Sequence, residues 1–245
     1  MHKLFTEIPE LCRDEKFLHS VMKKYHYDEE EYPVLRQLAE EMYTCLQEEA
    51  VWQDLLYEEA FSEKEQPFSA VGITLGKGID ALQETYLGKE LLTESYMIEV
   101  LSSELLLQSY RSYTEWTAIH HQLHVARLYF QGSNGDFGSN GDFGSTSAQT
   151  ELNKQLQIEY LPELLKKLDL PITCNEAYCM LPKKSVVFYA KLTTDPFTKC
   201  AGICLGCGRR DCPNRMEEKE NFPLHFADMT DRPLSYGYAR IFSKK

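Results

Sequence analysis

The chain lacks any apolar run approaching the ~18 residues that a membrane-spanning helix needs, so no helix is expected to cross a bilayer. Its opening, MHKLFTEIPELCRDEK, has no apolar h-region, and no secretory leader is read there. The expected compartment is the cytoplasm. Basic residues are scarce: 26 Lys+Arg face 38 Asp+Glu, a net charge of -12. A chain this acidic repels phosphate backbones, which argues against nucleic acid as a partner. The phosphate-loop spacing is missing too, because Gly76-Lys77-Gly78 is not preceded or followed by the required glycine, lysine and hydroxyl pattern.

What is present is an ordinary globular balance, 43% hydrophobic and 26% charged over 245 residues. That excludes collagen, coiled-coil rods and wholly disordered chains, and it fits one large domain or two small ones. The charge is uneven. Residues 1–66 hold 17 acidic against 7 basic side chains. They read as an acidic helical segment, with Val34, Leu35, Leu38, Met42, Leu46 and Ala50 at helical spacing after a break at Pro33. Glu40, Glu41, Glu48 and Glu49 fall on the other face, either a solvated surface or a docking face for a basic partner.

Residues 67–245 read as a mixture of helical and strand segments. Phe68 to Gly76 resembles a buried strand ending in a glycine turn. A long helix is expected from about Leu91 to about Phe130, with Tyr96, Met97, Val100, Leu101, Leu105 and Tyr110 as its apolar stripe. On it His120 and His124 would share a face, a spacing able to bind metal. The glutamate that a zinc protease places after the first histidine is replaced by His121. An exact duplication, Gly-Ser-Asn-Gly-Asp-Phe at 132–137 and 138–143, marks 132–146 as a flexible surface loop. Helical character returns from Leu152 to Leu168, with a kink or restart at Pro162. Strands are expected at Ile172 to Cys174, at Ser185 to Leu192 and, at the edge, from Leu234 to Phe242.

The strongest chemical signal lies at 199–215. Cys200, Cys204, Cys207 and Cys212 give C-x3-C-x2-C-x4-C followed by Pro213. Four soft thiolates satisfy zinc or an iron–sulfur cluster. Zinc sites usually draw on two separated knuckles, whereas one short glycine-rich loop suits a [4Fe–4S] cluster, with structural zinc or free redox thiols as alternatives. Lys199, Arg209, Arg210 and Arg215 would offset the charge of a thiolate-bound cluster. Cys174 and Cys179 are either packed thiols or an additional ligand or redox pair. Cys12 and Cys45 read as packing residues.

Three stretches occur in a telling order: Ala70-Val71-Gly72-Ile73-Thr74-Leu75-Gly76; Leu92 to Leu101 with Met97-x-Glu99-x-Leu101; and Glu176 to Val186 with Met180-x-Pro182-x-x-Ser185-Val186. With the Cys-rich stretch ending in Cys212-Pro213-Asn214-Arg215, the set resembles the activation domain of vitamin B12-dependent methionine synthase, in its small stand-alone, Cys-rich homologues. The resemblance covers roughly residues 67–215. It implies a mixed α+β fold for 67–245, a twisted antiparallel sheet with long helices. It also implies a corrinoid protein or cobalamin-dependent methyltransferase as partner, reductive reactivation of Co(II) to Co(I), and S-adenosylmethionine as an open ligand. By the same resemblance Arg127 and Ser185 are the cofactor-binding candidates. In this chain Arg127 is followed by Leu-Tyr-Phe-Gln-Gly-Ser, not by the family's R-x-x-P-G-Y ending, and Ser103-Glu104-Leu105 stands in place of its acidic D-R-L-A-E continuation. A metal-stapled adaptor or a cluster-based redox sensor is the alternative function. Lys183 and Lys184 either meet acidic groups of the partner or are solvated.

Overall fold

A computed structural model describes residues 3–57, 67–131 and 155–198. A five-stranded sheet runs through it: β1 (Lys3–Leu4), β2 (Val51–Tyr57), β3 (Phe68–Thr74), β7 (Ser185–Thr193) and β4 (His124–Phe130), in that spatial order. Every neighbouring pair is antiparallel. A separate two-stranded pair joins β5 (Thr173–Cys174) and β6 (Met180–Leu181). The mixed α+β class and the antiparallel sheet that the resemblance implies are therefore present.

Side chains alternate across the sheet, and both faces are covered. Val71, Ile73, Leu128, Phe188, Ala190 and Leu192 pack on the larger face. The helices there are α1 (Glu7–Leu11), α2 (Glu15–Tyr25), α3 (Tyr32–Glu49), α4 (Lys77–Gly88) and α5 (Leu92–His120). Phe68, Ala70, Val187, Tyr189 and Tyr129 point the other way, onto α6 (Leu161–Leu168). Burial on both sides explains why β3 reads as a continuous apolar run and not as an alternating one: all seven of its residues are buried.

Local chemistry accounts for the helix ends. Asp14 caps α2, its carboxylate accepting from the Lys16 and Phe17 N–H groups at 2.8 and 3.2 Å. Pro33 sits in the first turn of α3, where its missing N–H costs nothing, and Pro162 does the same for α6. Leu35, Leu38, Met42 and Leu46 form the buried stripe of α3 as spaced, although Val34 is exposed. On α5 the expected stripe is buried except for Tyr96, which faces solvent.

Two expectations are overturned. Residues 1–66 are not wholly helical, because β1 and β2 lie in them and β2 pairs along its whole length with β3. One apolar core draws on Ile8, Leu18, Leu35 and Leu46 together with Val71, Leu101 and Phe188. The long helix also ends early. His121 closes it with an N–H to the Thr117 carbonyl, Gln122 takes a left-handed φ of 55°, and the chain turns back as β4. The aromatic and β-branched residues of HVARLYF gain more from pairing with β7 than from extending a helix.

Candidate functional site

The three motifs that carry the family resemblance converge where β3 ends and β7 begins. Thr74 and Ser185 lie opposite each other in the register of these strands. The Ser185 hydroxyl donates to Thr74 Oγ1 at 2.8 Å, and Thr74 Oγ1 also accepts from the Gly76 N–H at 3.1 Å. One residue earlier, the Lys184 carbonyl accepts from the Leu75 N–H at 2.9 Å. The Lys184 side chain passes to the opposite face, where its ammonium donates to the Glu99 carboxylate of α5 and to Ser103 Oγ at 3.0 Å. Gln83 of α4 holds the other Glu99 oxygen at 3.1 Å. So β3, α5 and the segment before β7 are tied at one point.

Electrostatics reinforce this knot. Partial burial pushes the Glu99 carboxyl up, but the hydrogen bonds and charge of Lys184, with Gln83 and Lys183, outweigh it and hold the group below its ordinary value. Lys183 is drawn in from outside: its N–H donates to Asp80 at 2.8 Å and its ammonium reaches Glu84 at 3.3 Å. Both lysines therefore already have carboxylate partners within the chain. The glycine turn is filled as well. Gly76 adopts a φ of 88°, and Glu49 from the end of α3 places Oε2 2.6 Å from the Gly78 N–H, at the start of α4. A carboxylate of the chain itself thus takes the place at the Gly-Lys-Gly helix start that an anion would occupy.

The cofactor-binding candidates Arg127 and Ser185 are not brought together. Arg127 stands in β4, not at a helix terminus, and pairs with Lys191. Lys191 is six positions along β7 from Ser185, about 20 Å at a strand rise of about 3.3 Å per residue. Arg127 lies 5.3 Å from the centre of the Tyr129 ring. Ser185 is buried. The histidine pair is also undone, since His120 ends α5, with Nδ1 2.9 Å from the Trp116 carbonyl, while His124 opens β4.

Cys200, Cys204, Cys207 and Cys212 lie outside the described residues, as do the loop expected at 132–146 and the strand expected at 234–242. The chain leaves β7 at Thr193, opposite His124, at the Arg127 end of the strand. The cysteine run begins seven positions later in the sequence. The donor set fits a thiolate-bound cluster by its chemistry, with four soft sulfurs and, close to them in sequence, four cationic residues. The other cysteines differ among themselves. Cys12 is buried, and burial, with Glu40, pushes its thiol up to about 12, so it is inert packing. Burial and the charges of Glu49 and Glu41 raise Cys45 too. Cys174 is half-buried and Cys179 exposed, so Cys179 is not a packed thiol.

Sequence reasoning missed two arrangements. The Glu99–Lys184 link joins residues 85 positions apart, one in the Met97-x-Glu99-x-Leu101 stretch and one in the stretch from Glu176 to Val186. The second gathers Lys3, Trp52, Asp54, Trp116 and His121, and no local pattern announces it. Among the described residues, no helix is long and apolar enough to cross a membrane. No protein-family model matches the chain, and no curated protein matches it.

Proposed function

We propose that this chain is an accessory protein of a cobalamin-dependent methyltransferase system and that it helps return an oxidised corrinoid from Co(II) to Co(I). The observation that carries this reading is the set of four cysteines within thirteen residues, which suits a [4Fe–4S] cluster. Such a cluster supplies one electron at low potential. Cys200, Cys204, Cys207 and Cys212 would hold it, and Lys199, Arg209, Arg210 and Arg215 would balance its charge. A low-potential one-electron reductant outside the chain would recharge the cluster, the cluster would pass one electron to Co(II) to give Co(I), and methyl transfer from S-adenosylmethionine to Co(I), releasing S-adenosylhomocysteine, would remove the reduced corrinoid from the equilibrium.

The ordered motifs support the corrinoid side of the proposal, and so does their meeting through Thr74–Ser185 and Lys184–Glu99. Because Ser185 and Lys184 are committed to partners inside the chain, their role in this reading is to shape the start of β7.

The test is anaerobic reduction of a Co(II) corrinoid protein by dithionite as the low-potential electron source, followed by its visible spectrum, with wild type and Cys207→Ser. Wild type accelerates the appearance of Co(I), and the variant loses the cluster and the acceleration. Restoration at the wild-type rate by Cys207→Ser would remove the electron-relay reading.

A further inference from the structure

The five residues gathered at the β1 edge have the chemistry of a cation site. Trp52 of β2 and Trp116 of α5 meet edge to face, with ring centres 4.8 Å apart at 76°. The Lys3 ammonium lies in the corner between them, 4.3 Å from the Trp52 ring and 3.8 Å from the Trp116 ring. Asp54 closes the third side at 2.7 Å, and its side chain is only 5% exposed. His121 Nε2 stands 3.3 Å from the other Asp54 oxygen. Two aromatic faces and a buried carboxylate around one positive charge are the recognition elements for ammonium groups. The carboxylate makes the demand strict, because a buried charge left without a counter-charge is strongly unfavourable.

The resident cation is attached in a way that permits exchange. β1 has two residues and pairs only through Lys3–Trp52 and Leu4–Val51. Its backbone is held further along, by buried Phe5, which donates its N–H to the Ala50 carbonyl at 2.9 Å and stacks on Trp52. The Lys3 side chain, 35% exposed on a flexible stem, can therefore leave the corner without unseating the strand.

We propose that Trp52, Trp116 and Asp54 form a binding box for a methylated ammonium group, with Lys3 as the displaceable internal occupant. Methylated ammonium ions are weakly hydrated, so aromatic faces replace their water at little cost, and Asp54 supplies the counter-charge. The site is independent of the cysteines and of the corrinoid reading.

The chain contains two tryptophans, and both are walls of this box, so tryptophan emission reports on it alone. The experiment titrates the full chain with choline and, in parallel, with its uncharged carbon analogue 3,3-dimethylbutan-1-ol. Choline gives a saturable emission change in wild type, and Lys3→Ala lowers the apparent Kd about tenfold by removing the competitor. Asp54→Asn in the Lys3→Ala background abolishes the response, and the uncharged analogue gives none. Lys3→Met keeps the apolar stem and serves if the alanine variant does not fold. The proposal is overturned by an equal response to the uncharged analogue, by equal affinities in wild type and Lys3 variants, or by silence in a Lys3 variant whose circular dichroism and melting match wild type.

Discussion

Ser185 donates its hydroxyl hydrogen to Thr74 across 2.8 Å, from the first residue of β7 to the last residue of β3. Both side chains are buried, and Thr74 also receives the N–H of Gly76, so a single threonine oxygen organises the strand end and the turn that follows. A serine that resembles a cofactor contact in sequence is, in the fold, part of the joint between two motifs.

Ser185→Ala should therefore cost stability. Loss of a buried hydrogen bond is worth about 1–2 kcal/mol. Urea unfolding is expected to show a lower midpoint with an unchanged slope. A midpoint equal to or above wild type would contradict the structural role.

Glu99 makes the fold sensitive to acid. Its carboxyl is held below its ordinary value of 4.5 in the folded chain, by Lys184 and Gln83 acting against partial burial. A depressed carboxyl contributes stability that is present above its unfolded pKa and is lost as pH falls through the folded one. The pair is partly exposed, so the contribution is on the order of a few tenths to 1 kcal/mol. Glu99→Gln is expected to lower the melting temperature at neutral pH and to flatten its fall below pH 4.5. Parallel melting curves for the two proteins across that range would refute the assignment.

Two glycines of one helix region should respond with opposite sign. Gly76 has a φ of +88°, and a Cβ there would stand 2.2 Å from the Glu49 Cβ. Gly88, at the end of α4, has nothing within 4 Å of its Cβ position. Gly76→Ala is expected to destabilise by more than about 1 kcal/mol, and Gly88→Ala to stabilise by about 0.5 kcal/mol. Calorimetric melting of both variants checks this, and destabilisation of similar size in each would contradict the turn's special geometry.

Much of the framework was legible because it rests on short-range rules. Pro33 and Pro162 mark helix starts, the buried stripe of α3 follows its spacing, and β3 and β7 announce themselves by mostly apolar, β-branched and aromatic runs. The misread regions are those decided at long range. Leu92 to Phe130 carries no proline or glycine, so the stop at His120 depends on Gln122 entering a left-handed conformation and on β7 being there to pair with β4. Val51 to Tyr57 likewise becomes a strand through its register with β3, after a helix whose pattern runs straight up to it. At the site, the motif residues were visible one by one. Their partners were not, since Glu99 and Lys184 meet only through the packing of α5 on the sheet. The distance between Arg127 and Ser185 is another property of register that no linear motif contains.

The central claim is that Cys200, Cys204, Cys207 and Cys212 hold an iron–sulfur centre, and the most direct measurement is metal and sulfide analysis of anaerobically purified protein together with its visible spectrum. The account predicts a brown protein with iron and acid-labile sulfide in equal amounts and a broad absorption near ~400 nm, all lost in Cys207→Ser. A colourless protein carrying zinc, or one with no metal and its four thiols free, would contradict it.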